Sequence, residues 1–121
     1  MTLRVSEQVP PVGTKLVVET SAGATPQNSV TGAAGSIFQI EVDNEDNGDN
    51  PAYLKIYDNS SPTVGTTAPD FIFKVPVNTK LSLVCPDGMA FTDLSFAVVT
   101  TPGNGGVTPP TNPVTVKLVT S

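Results

Sequence analysis

The sequence contains no histidine and no tryptophan, one cysteine, and only 14% charged residues in a chain of 121. Without imidazole, the usual general base, the usual activator of a serine or cysteine nucleophile and the commonest zinc ligand are all missing. Without tryptophan, a preferred platform for sugar rings is missing too. The single thiol, Cys85, has no internal disulfide partner, and its phase with Leu81 and Leu83 reads as a small buried hydrophobe. The six basic residues, Arg4, Lys15, Lys55, Lys74, Lys80 and Lys117, are scattered. No basic stripe is available to displace counterions from a phosphate backbone, so no nucleic-acid partner is expected. No run approaches the ~20 apolar residues of a membrane span, and "MTLRVSEQVPP" has no apolar signal region. A soluble chain with no membrane partner and no classical export is therefore expected.

What the chain does have is valine, threonine, 12 prolines and 10 glycines. Valine and threonine suit pleated, half-buried surfaces, and the spread of proline leaves no comfortable helical stretch. Short alternating segments recur between turn clusters. "TLRV" offers Leu3 and Val5, "TKLVVET" offers Leu16 and Val18, and "SIFQIEV" sets Phe38, Ile40 and Val42 on one face. "AYLKIYD" opposes Tyr53, Lys55 and Tyr57 to Leu54 and Ile56, and "DFIFKVPV" aligns Phe71, Phe73 and Val75. "TKLSLVC", "LSFAVVT" and "VTVKLVT" follow; "NSVTGAAG" and "GMAF" read as weak edge strands or a bulge. About eight short strands at this spacing predict an all-β fold, a single antiparallel β-sandwich of jelly-roll-like or immunoglobulin-like type. One domain over 1–121 is expected, with an extended N-terminal arm (1–12) and a flexible Pro/Gly-rich loop (101–113).

The densest charge is "EVDNEDNGDN", where five of the eleven acids fall between Glu41 and Asp49. Read from Asp43 as a calcium loop, it matches at Asp43, Glu45, Asn47 and Gly48. The twelfth position, which should be a bidentate glutamate, is Leu54. A looser site using Asp43, Glu45, Asp46 or Asp49 is an alternative, as is a contact surface for a partner. The preferred reading is a solvated hairpin connection, since Asn, Asp and Gly are turn residues. No metal and no cofactor are expected. The remaining acids, Glu7, Glu19, Asp58, Asp70, Asp87 and Asp93, stand singly where acids cap turns, and "GNGG" lacks the Lys-Ser/Thr sequel of a phosphate loop. Catalysis is not expected.

From Ala52 to Thr100 the chain resembles a family of small β-sandwich virion structural proteins of tailed phages and prophages. The resemblance rests on Tyr53, Leu54, Lys55, Tyr57 and Asp58, on the "PTVGTTAP" turn with Pro62, Gly65 and Pro69, and on Gly88, Phe91, Leu94 and Ala97. It extends over about residues 37–100 and departs from the family at the acidic insertion and at "VPVNTKLSL". It implies a non-enzymatic virion component, in particular a head decoration (cement) protein. The implied partners are the major capsid protein and further copies of the chain, as a dimer or trimer. The implied place is the outer surface of the head, after synthesis in the host cytoplasm. A tail, neck or fibre-associated module and a calcium-dependent carbohydrate-binding module are the alternatives. Pro62, Gly65 and Pro69 are expected to shape the long turn, with Tyr53 and Tyr57 packed under it. Partner contacts are expected in the two extended segments, at Leu3, Val5, Val9, Pro10 and Pro11 and at Val107, Pro109 and Pro110.

Overall fold

The alternating segments resolve into strands only, in a computed structural model that describes residues 13–121. The strands are β1 (Lys15–Ala22), β2 (Gly35–Asp43), β3 (Ala52–Asp58), β4 (Phe71–Val75), β5 (Lys80–Phe91), β6 (Leu94–Val99) and β7 (Val114–Thr120). The expected "TLRV" strand and the arm residues Leu3, Val5, Val9, Pro10 and Pro11 lie outside the described residues. The strands form two antiparallel sheets, one ordered β1-β7-β2-β5 and the other β4-β3-β6.

The free edge of β6 is occupied by residues 23–30. Gln27 and Phe96 exchange backbone hydrogen bonds of 2.8 and 3.1 Å, Val30 N donates to Leu94 O, and Val98 N donates to Gly23 O. Counting this segment as an abbreviated strand, the chain pairs from the outside inward: β1 with β7, residues 23–30 with β6, β2 with β5, and β3 with β4. The described residues form one long hairpin with its apex at residues 59–70, wrapped so that successive pairs fall in opposite sheets. That is jelly-roll connectivity. The immunoglobulin arrangement, which puts the last strand in the three-stranded sheet, does not occur, because β7 lies between β1 and β2.

Wrapping a hairpin in this way sends every connection except β3–β4 across from one sheet to the other. The stretch "DNEDNGDN" is therefore a crossing between sheets rather than the expected hairpin turn, since β2 and β3 belong to different sheets.

The core lies between the sheets. Ile37, Ile40, Val42, Val114, Val116 and Leu118 face Leu54, Ile56, Phe96 and Val98. Three expectations about phase need correction. In β1, Val17 packs on the core while Leu16 and Val18 face outward. Side chains directly opposite in a ladder share a face, and Val17 stands opposite Leu118. In β2, a bulge between Ile37 and Gln39 moves Phe38 off the inner face and puts Ile37 there. In β5, "LSLVC" and "GMAF" belong to one strand. Four residues, Cys85 to Gly88, bulge out between Val84, paired with Gln39, and Met89, paired with Ile37.

Phe96 is fully buried, paired on one side with Ile56 and on the other with Gln27. Phe96→Ala is expected to cost about 3–5 kcal/mol in urea unfolding, the range for emptying a buried aromatic site. A loss below about 1 kcal/mol would contradict this account of the core.

Candidate partner interface

The acidic crossing divides its work between two residue types. Its acids are surface groups: Glu45, Asp46 and Asp49 are exposed, and Asp43 Oδ1 accepts from Glu45 N at 2.9 Å. Its asparagines are structural, and Asn44 and Asn47 are both buried. Asn44 Nδ2 donates to Pro76 O (3.1 Å) and Val75 O (3.4 Å), and Asn44 N donates to Thr79 O. Asn47 Nδ2 donates to Asn44 Oδ1 and Asn112 O, both at 3.0 Å, while its Oδ1 accepts from Asn112 N at 2.8 Å. Asn78 N donates to Asn47 O, and Asn112 Nδ2 to Asp46 O. Three crossings, β2–β3, β4–β5 and β6–β7, are thus tied into one hub of amides. Thr111 Oγ1 adds a hydrogen bond to Asp49 Oδ2, which holds that carboxyl below its ordinary pKa.

Of the candidate calcium ligands, the structure does not bring Asp43, Glu45 and Asn47 into one oxygen cage. Asn47 spends its amide oxygen on Asn112 and Asp43 binds its own loop. Among the described residues no group of three or more His, Cys, Asp or Glu side chains gathers as metal ligands.

Over β3 and β6 the outer face of the small sheet is closed by two loops. Lys55 and Tyr57 point away from the core, yet both are fully buried, as are Ser95, Ala97 and Val99 beside them. Lys55 Nζ donates to Gly106 O at 2.8 Å, fastening the 101–113 segment over the sheet. A second fastening joins Thr100 N to Thr108 O. The 59–70 turn meets that segment from the other side, with Gly65 against Val107. Gly65 has φ +91°, and a side chain there would run into Val107 Cγ1. Pro62 is buried and Pro69 half-buried. Tyr57 lies wholly buried beneath these loops' sheet face, while Tyr53 is half-buried. Of the loop residues expected at a partner, Val107 is 53% exposed, Pro109 is exposed and Pro110 half-buried. The segment expected to be free is anchored at Gly106, Thr108, Thr111 and Asn112.

The outer face of the large sheet carries a different surface. Ladder partners place Leu16, Val119, Gln39 and Val84 in one row across β1, β7, β2 and β5. Leu16 and Val84 are each 65% exposed and Val18, one row on, 47%. The neighbouring rows carry Lys117, Glu41, Asp43 and Lys80, with Lys80 Nζ 2.8 Å from Glu41 Oε1. A row apolar but for Gln39, with charge in the rows beside it, has the form of a protein contact surface. The sequence hid it, because "LVV" in β1 offers an apolar residue in either phase and only the ladder with β7 decides which turns outward.

Comparison of the chain with protein-family models, with curated proteins and with solved structures returned no match.

Two outcomes follow from the hub and the buried amine. Asn47→Ala removes two donated hydrogen bonds and leaves Asn112 N without its acceptor, so it is expected to cost about 2–4 kcal/mol. Glu45→Gln and Asp46→Asn, on the same loop, should stay within about 0.5 kcal/mol of the parent. Urea titration of the three variants separates the amides from the acids. Burial pulls the pKa of Lys55 below its ordinary 10.5 and pushes that of Tyr57 above its ordinary 10.0. Between the lowered Lys55 value and 10.5 the unfolded chain holds a proton that the folded chain has released, so stability rises with pH there. Above pH 10 Tyr57 acts in the opposite sense, because the folded phenol keeps a proton that the unfolded one loses. Lys55→Met is expected to flatten the rise below about pH 10; an unchanged slope in urea titrations would contradict the assignment to Lys55.

Proposed function

We propose that this chain is a non-enzymatic structural protein of a tailed-phage particle, and specifically a decoration protein on the outer surface of the head. The observation that carries the reading is the exposure of Leu16, Val18 and Val84 on a sheet face that the described residues leave uncovered, a surface suited to contact rather than chemistry. Jelly-roll connectivity supports it, since viral capsid domains use this double-sheet architecture, although the same fold also carries lectin domains and does not by itself decide function. The "YLKIYD" and "PTVGTTAP" resemblance supports it from the sequence side, and Gly65 in that motif has a packing reason to be glycine.

The mechanism in this reading is interfacial. That surface docks on the major capsid protein and on further copies of this chain in a dimer or trimer, and the charged rows beside it set the register. Two rigid sheets then bridge neighbouring capsid subunits and resist their separation. No cofactor enters.

The test is the copy number of this protein in particles purified from its source, by quantitative mass spectrometry against the major capsid protein. The expected result is a number in the hundreds. A dozen or fewer would place it in the tail, neck or a fibre, and absence would overturn the virion reading altogether. Leu16→Asp combined with Val84→Asp is expected to leave folding within about 1 kcal/mol, as exposed substitutions do, while abolishing retention on particles. Retention at the parental level would remove that surface from the interface.

A further inference from the structure

Two sheets leave four edges, and the chain treats them unequally. Residues 23–30 cover β6, a bulge breaks β5 between Val84 and Met89, and β4 is five residues ending before Pro76. Such devices keep an edge from pairing with another chain. β1 lacks them over Lys15–Glu19, which pair with β7 in unbroken register up to the irregularity between Glu19 and Ala22. Among the described residues no strand adds to its other side. Leu16 and Val18 face solvent there, and Val17 is half-buried on the core side. The charges on this edge are one of each sign. Lys15 Nζ makes a long contact of 3.4 Å to Thr31 O, and Glu19 Oε1 accepts from Ser21 N at 2.9 Å. Among the described residues the ion pair present is Lys80 with Glu41, so neither charge is neutralised there.

We propose that β1 is a dimerisation edge, pairing antiparallel with β1 of a second copy about a two-fold axis at Val17. The sequence Lys-Leu-Val-Val-Glu is self-complementary in that arrangement. Lys15 stands opposite Glu19 of the second copy, Leu16 opposite Val18, and Val17 opposite Val17. Opposite charges or two apolar groups meet at every position, and such pairs stabilise a ladder. Moving the axis to Leu16 or Val18 would put Lys15 or Glu19 opposite Val17 instead, so the charges select the register. The contact is isologous and closes on itself, as a two-fold interface must. It joins two four-stranded sheets into one, ordered β5-β2-β7-β1-β1-β7-β2-β5. The outer faces of both copies then share one side, with Leu16 of each beside Val18 of the other. The inference rests on the particle reading only for its use, one broad contact face in place of two narrow ones. The pairing itself is a property of the free chain.

Sedimentation equilibrium of the full chain, combined with charge exchange, tests the pairing. The parent is expected to show a concentration-dependent balance of monomer and dimer. Lys15→Glu sets acid against acid at both ends of the ladder and is expected to weaken dimerisation about tenfold or more. Glu19→Lys should do the same by setting base against base. Mixing the two variants is expected to restore the dimer, because each chain then meets the opposite charge on the other. The chain carrying both substitutions should dimerise as the parent does. Urea titration of each variant separates a lost contact from a lost fold. A parent that stays monomeric or forms a trimer, a dimer indifferent to Lys15→Glu, or a mixture no tighter than the separate variants would each overturn the proposal. Any of these would leave the copy-number test of the particle reading standing.

Discussion

The amide hub at Asn44, Asn47 and Asn112 is the constraint on which the rest of this structure depends. A jelly-roll makes its chain cross repeatedly between sheets, and every crossing brings backbone donors and acceptors to the end of an apolar core. Such groups are costly when buried without partners. Here one pair of side chains answers several of them at once. Asn44 reaches the carbonyls that end β4, and Asn47 reaches the strap leading into β7. Carboxamides suit this place, since each supplies both donors and an acceptor without charge. Aspartate at either position would lose the donors and bury a charge.

The two sheets end up with opposite surfaces as a consequence. Once the β6–β7 segment is tied at Asn112, it is led over the small sheet, where Lys55 fastens it at Gly106 and Val107 meets Gly65. The β3 and β6 part of the small sheet is therefore buried on both faces, which is why β6 is buried at every position from Leu94 to Val99, while Ile72 and Lys74 of the edge strand β4 stay exposed. The large sheet receives no such cover from the described residues, and its outer rows keep Leu16 and Val84 in solvent. In the reading proposed above, the covered sheet is the frame and the bare one the working face.

Much of this was legible in the residues. Alternation in "FIFKV" and "VTVKLV" marks strands, because one phase is wholly apolar and the other carries a lysine. The sandwich class followed from strand number and turn spacing. What stayed hidden depended on pairing. "LVV" in β1 is apolar in either phase, the bulge at Phe38 shifts a face without altering the composition, and the crossing of Asp43–Asn50 cannot be told from a hairpin by turn residues alone. The structural role of the asparagines is hidden beside the acids, since charge is conspicuous in a sequence and a buried carboxamide is not. Asp58 and Asp70 stand far apart along the chain and meet only because β3 and β4 are neighbours.

The central claim is that the loops are internal fastenings and that the bare sheet face makes the contacts. Hydroxyl-radical footprinting of the free protein and of the particle-bound protein tests it most directly, because it reads side-chain exposure residue by residue. The account predicts that Leu16, Val18 and Val84 become protected on particles while Val107 and Pro109 stay as reactive as before. Protection centred on Val107 and Pro109, with Leu16 and Val84 unchanged, would contradict it.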